Sequence, residues 1–280
     1  MHSPSKTEML FAMTTFQAII LAIVEGLTEY LPISSTGHLI ITSSLMGIGD
    51  QQFTKDFTII VQFGAILSVL ALYWRRFITS FDLYLKLSVA FLPAAVIGFI
   101  VKSKIDALLD DVTVVAISLI LGGIVLLFVD KWFAKQEAEL AREGKGAIES
   151  ITIKQALIIG FSQCVAFIPG VSRSGASIVG GLGVKLTRQA AAEFSFLLAV
   201  PTLTAATCYK MLKLYKTIEP SQISILVIGN IASFVVGLIA IKGFIGFLTR
   251  RGFFLFGVYR IVAGVVILIL LAMGHQLHVL

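Results

Sequence analysis

Six stretches of this chain, roughly 57–74, 84–101, 112–130, 190–209, 222–241 and 253–273, are apolar for close to the length that a membrane-crossing helix needs. At ~1.5 Å rise per residue that length is ~20 residues, so each stretch is expected to be a full span. Composition agrees: 57% of the 280 residues are hydrophobic and 14% charged, with a mean hydropathy of +0.96. The net charge of +6 does not indicate nucleic acid, because the basic residues lie between apolar segments instead of lining one polar face. The apolar run 9–24 leads into Glu25 and Glu29, not into a small-residue cleavage site, and is expected to stay in the mature protein. Cys164 and Cys208 lack metal-ligand spacing and read as small buried hydrophobes.

Shifting the sequence against itself by 138 positions aligns Gln17-Ala18 with Gln155-Ala156, Ser34 with Ser172, Thr36 with Ser174, Gly37 with Gly175 and Ile40 with Ile178. A duplicated unit follows, with a first repeat at 14–131, a charged solvated linker at 132–151 and a second repeat at 152–274, all within a single membrane domain spanning 1–280. Each repeat opens with an interrupted apolar segment before its three spans. The interruptions are Leu31-Pro-Ile-Ser-Ser-Thr-Gly-His38 and Pro169-Gly-Val-Ser-Arg-Ser-Gly175. Proline removes a backbone donor and glycine loosens the helix, so both segments should break there. Broken backbone at membrane depth is tolerated only inside protein or along a wet cavity. The expected architecture is therefore all-α: six full transmembrane helices plus two re-entrant helical hairpins, about ten helical segments, arranged as an inverted-topology repeat. Segments 75–86, 131–154, 185–188 and 242–251 then share one side and hold thirteen basic residues against seven on the other. The positive-inside tendency places them in the cytoplasm and both termini outside, against the contrary pull of Lys210, Lys213 and Lys216.

Glu25 and Glu29 are four apart and share one helix face, with Thr28 beside them. A carboxylate at membrane depth costs ~2.5–3.5 kcal/mol on insertion scales, so two of them mark a functional site. Such a pair can hold a divalent cation, or share a proton and act as acid and base. Ser34, Ser35, Thr36, Gly37 and His38 open the helix after the first break, and Ser172, Arg173, Ser174 and Gly175 the helix after the second. Two helix N-termini aimed into one break form an anion site. A serine hydroxyl is a poor nucleophile unless activated, and Ser35 with His38 is a candidate pair. Arg173 supplies a planar guanidinium suited to phosphate oxygens, or a partner for Glu25 or Glu29.

The segments Glu25-Gly-Leu-Thr-Glu29-Tyr-Leu-Pro-Ile-Ser-Ser-Thr-Gly-His38, Pro169-Gly-Val-Ser-Arg-Ser-Gly175 and Glu193-Phe-Ser-Phe-Leu-Leu-Ala-Val-Pro201 resemble the signatures of the bacterial undecaprenyl-diphosphate phosphatase family, also called bacitracin-resistance proteins. The similarity covers essentially the whole chain. It implies a multi-pass protein of the bacterial inner (plasma) membrane that removes the terminal phosphate from a C55 isoprenyl diphosphate, with a divalent cation, Mg or Ca. On that resemblance Ser35 is the nucleophile, His38 an acid or base, Glu25 and Glu29 handle metal or protons, and Arg173 holds the diphosphate. Ser34, Thr36, Gly37, Ser172, Ser174 and Gly175 would bind substrate. The expected partners are the lipid substrate and the membrane, with no nucleic acid; a homodimer is left open. Glu193 reads as a carboxylate favoured by a helix N-terminus. The rival class is a transporter or flippase of a lipid phosphate, since inverted repeats with broken helices also build carrier sites. The Ser35 and His38 pair argues for hydrolysis, and a ligand-free scaffold would leave Glu25, Glu29 and Arg173 unexplained.

Overall fold

The computed structural model describes residues 13–109, 111–215, 218–275 and 277, without the side chains of 102–104, 106, 107 and 109. Residues 9–12 of the first apolar run, and Lys6 and Lys216 of the charge comparison, lie outside the described residues, as do the side chains of Lys102 and Lys104. Among the described residues every regular element is helical. The order is α1 (Thr15–Thr28), α2 (Ser35–Leu45), α3 (Gln52–Ile60), α4 (Gln62–Thr79), α5 (Phe81–Leu109), α6 (Val112–Glu143), α7 (Ile153–Gln163), α8 (Arg173–Gly183), α9 (Arg188–Leu214), α10 (Pro220–Arg251) and α11 (Phe254–Ala272), with short 3-10 turns at Ile148–Ser150 and Cys164–Phe167. Six helical stretches are long and apolar enough to cross a membrane, α3 and α4 together forming the first. The exterior of the bundle is itself apolar: Phe81 and Phe99 are 87% and 86% exposed, a cost in water that hydrocarbon removes.

The same local geometry recurs 138 residues apart. Thr14 and Gln17 close a reciprocal cap at the start of α1, and Thr152 and Gln155 do so at α7. The Gln17 side chain donates to the Met46 carbonyl at the end of α2 (3.4 Å), and Gln155 donates to that of Val184 at the end of α8 (2.7 Å). Each broken segment is thus a closed hairpin, with its two ends tied together and its tip at the interruption. The two halves interlock, since α1 packs on α10, α7 on α5, and α6 on α11.

Gly64 shows how closely they approach. Its N–H donates to Asn230 Oδ1 (2.7 Å), and a Cβ at this position would overlap the Asn230 backbone carbonyl, so α4 and α10 touch main chain to main chain. Gly64→Ala is expected to destabilise the protein by ~1–3 kcal/mol, seen as a lower melting temperature in detergent. An unchanged melting curve would mean that the two helices separate freely.

Three sequence expectations change. Residues 132–143 of the expected linker are helical: α6 runs on through Lys135-Gln-Glu-Ala-Glu-Leu-Ala-Arg142, all strong helix formers, until Gly144 ends it at φ 62°. Glu193 does not act at a helix N-terminus. It lies beyond the first turn of α9 and is held by Arg76 Nη2 (3.0 Å) and Gln189 (2.9 Å). Cys208 is exposed on α9 and Cys164 half-buried, so neither is a core hydrophobe.

Candidate active site

Both hairpin tips carry a non-glycine residue in the left-handed region, Ser34 at φ 69° and Ser172 at φ 77°. Such backbone costs ~1–3 kcal/mol and persists only where the surroundings enforce it. Here it turns the chain sharply into α2 and α8, so that Ser35 and Arg173 are the first residues of their helices. Ser172 Oγ accepts from the Gly175 N–H (3.1 Å), a side-chain cap that Ser34 does not make. The tips are bound to each other as well, because Ser174 Oγ donates to the Leu31 carbonyl (2.8 Å).

Glu29, just past the end of α1 and 7% exposed, joins the two halves. Its Oε2 accepts from Ser35 Oγ (2.8 Å) and its Oε1 from Arg173 Nη2 (2.8 Å). Arg173 Nη1 donates to the Ser195 carbonyl (2.8 Å), which fixes the guanidinium plane, while Arg173 Nε has no partner. Ser195 Oγ and Ser177 Oγ bond to one another (2.7 Å) behind it. Around this centre lies a cavity of about 220 Å³, lined by Glu29, Ser34, Ser35, Thr36, Ser172 and Arg173 and walled by Phe167 and Leu203. A serine hydroxyl, a carboxylate positioned to take its proton and a guanidinium with a free N–H therefore meet in one enclosure.

Glu25, one helical turn before Glu29, is fully buried with neither carboxylate oxygen partnered. An unpartnered carboxylate in such a place is costly. Among the described residues no group of three or more His, Cys, Asp or Glu side chains could hold a metal. A Mg-type site does not require one, since one or two carboxylates plus substrate phosphate oxygens and water complete the shell. The orphaned Glu25 beside Glu29 fits that donor set.

His38 stands elsewhere. Its Nδ1 bonds to the Ser34 carbonyl (2.7 Å) and its Nε2 to Tyr259 OH (2.7 Å), against which the ring stacks. With Nδ1 donating, Nε2 accepts, and the ring does not line the cavity. The partner of Ser35 is thus Glu29, not the expected His38. Gly37, Ser174 and Gly175 are also set back from this cavity: Gly37 lies against Leu119, and Gly175 against Ser172 and Pro32. The sequence reading did not single out Arg260, although a lone cation in an apolar stretch was a visible signal.

The fold and site together define a multi-pass helical membrane protein with a buried acid, serine and arginine centre shared between two hairpins. The chain belongs to the family described as bacitracin resistance protein BacA, whose model matches residues 18–266. A protein of Bdellovibrio bacteriovorus named undecaprenyl-diphosphatase is 57% identical over 95% of this chain and 99% of its own length. Proteins with the same name from Flavobacterium johnsoniae and Flavobacterium psychrophilum are 52% and 54% identical, covering 96% and 95% of this chain and 100% and 99% of theirs.

Proposed function

We propose that this protein hydrolyses undecaprenyl diphosphate to undecaprenyl phosphate and inorganic phosphate, recycling the lipid carrier of cell-wall synthesis in the bacterial inner membrane. The observation that carries this reading is the bridge at Glu29, where a hydroxyl from one hairpin and a guanidinium from the other rest on the two oxygens of one buried carboxylate. Phosphoryl transfer is mostly positioning and charge stabilisation, and this centre supplies both.

In the reaction Ser35 Oγ attacks the terminal phosphorus as Glu29 takes its proton. The bridging P–O bond breaks, and undecaprenyl phosphate leaves with the electron pair. Arg173 turns from Glu29 to the equatorial oxygens with its parallel N–H groups, while its bond to Ser195 keeps the plane oriented. Water then attacks the phosphoserine phosphorus, the Oγ–P bond breaks, inorganic phosphate leaves, and the proton held by Glu29 returns to Ser35 Oγ. A divalent cation, Mg or Ca, would be held by Glu25 and Glu29 and would neutralise diphosphate charge. Amides at the starts of α2 and α8 receive phosphate oxygens beside Ser34, Thr36 and Ser172. His38 acts indirectly, by holding the Ser34 carbonyl and so the turn into Ser35.

The enclosure takes a headgroup and leaves no room for a C55 tail. An apolar groove of about 570 Å³ beside the first tip, lined by Leu27, Leu31, Ile33, Phe244, Phe247 and Phe256, offers the tail a course into the hydrocarbon. Both hairpins are read as re-entrant, and the pocket as serving the outer leaflet.

The test is phosphate release from a long isoprenyl diphosphate by the purified protein in detergent, with and without a chelator. Release is expected, with the lipid monophosphate as second product, and chelation is expected to slow it ~10-fold or more. Absence of release would refute hydrolysis; undiminished release under chelation would remove the cation.

A further inference from the structure

Arg260 on α11 is 1% exposed, and among the described residues no carboxylate pairs with it. Its guanidinium is spent on backbone carbonyls. Nη1 donates to Pro32 (3.0 Å) and Val171 (2.9 Å), Nη2 to Gly170 (2.9 Å) and Ser118 (3.2 Å), and Nε to Leu119 (3.3 Å). Pro32 belongs to the first tip, Gly170 and Val171 to the second, and Ser118 and Leu119 to α6. One rigid fork therefore links both interruptions to a full span. Burying a cation among apolar helices is tolerable only when its donors are all engaged, and bonds from a charged donor are roughly twice as strong as neutral ones.

The link has a direction. A trans peptide points its N–H opposite its C=O, so turning the Val171 carbonyl toward Arg260 turns the Ser172 N–H away from it. Ser172 and Gly170 line the reaction cavity and Arg260 does not, so the guanidinium grips the tips from behind. Room for this grip exists because position 122, which lies 138 residues earlier, is glycine: a Cβ there would overlap Arg260 Nη2 and Cζ.

Resting on the phosphatase reading above, we infer that Arg260 is a positioning residue for phosphate transfer. It fixes the two tips in register, so that Ser35 and Arg173 meet across Glu29. Lysine in its place keeps the charge and loses the planar fork. Arg260→Lys is expected to lower kcat about 10²-fold with KM within ~3-fold of the parent, because misplacing reacting groups by ~1 Å costs that much. Gly122→Ala leaves Arg260 in place yet pushes its guanidinium off the carbonyls, and is expected to reproduce the kcat loss. The two effects act through one contact, so the double variant should be no slower than the worse single.

Rates are taken per folded molecule, from monodisperse protein, using undecaprenyl diphosphate with the parent assayed alongside. A purely architectural role would reduce the folded yield and leave kcat per folded molecule unchanged, and that result in either variant would overturn the inference. Failure of both variants to fold would also overturn it, making Arg260 a folding residue alone. A parent that releases no phosphate sinks the phosphatase reading, whereas an active parent with equally active variants sinks only the role of Arg260.

Discussion

Arg173→Ala is expected to lower phosphate release by about 10³-fold or more, with the protein still folded. Removing one preorganised donor from developing transition-state charge costs ~10²–10³ in kcat, and the loss of the contact that orients the Glu29 carboxylate toward Ser35 adds to it. Stability falls separately, because Glu29 keeps its charge without the partner 2.8 Å from Oε1 and breaking a buried pair on one side costs ~3–5 kcal/mol. Arg173→Lys should sit between the parent and alanine, since an ammonium can reach Glu29 or Ser195 but cannot present two parallel N–H groups. Steady-state phosphate release from detergent-purified protein, normalised to the monodisperse fraction, decides the matter. Turnover of Arg173→Ala within threefold of the parent would exclude the guanidinium from the chemistry.

Ser35→Ala is expected to reduce kcat by about 10³-fold with only a modest loss of stability. The hydroxyl is small, and its loss removes one hydrogen bond worth ~1–3 kcal/mol because the acceptor is charged. Its chemical role has no substitute nearby: among the described residues, Ser35 is the hydroxyl bonded to Glu29. A melting temperature lowered by only a few degrees with collapsed turnover is the predicted pattern, and a rapid-quench experiment with labelled terminal phosphate should trap label on the parent and none on the variant. Full turnover by Ser35→Ala would assign the attack to another nucleophile.

The hairpins were legible because their signals are local. Proline, glycine and serine clusters interrupt apolar runs, and the Thr14-x-x-Gln17 and Thr152-x-x-Gln155 spacings encode matching caps at equivalent places. The meeting of Glu29 with Arg173 could be anticipated from the cost of burying charge. The partner of Ser35 could not: the residue types favoured His38 as the activating base, whereas the turn through Pro32 brings Glu29 back across the break. Arg260 was visible as a cation in an apolar run, but its partners are main-chain carbonyls from three segments, which no side-chain pattern advertises. Glu193 was misread for a similar reason, since Arg76, 117 positions away, outweighs its place along the helix. The extension of α6 past its span was written in its helix formers, and the charge of 133–150 obscured it.

A double-mutant cycle on Ser35 and Arg173, residues brought together from separate hairpins, most directly tests whether both halves build one reaction centre. Phosphate release would be measured for the parent, Ser35→Ala, Arg173→Lys and the double variant. If the two side chains act as one unit around Glu29, the double variant loses about as much as the worse single. Losses that multiply would show that the residues work independently, and would contradict a shared site.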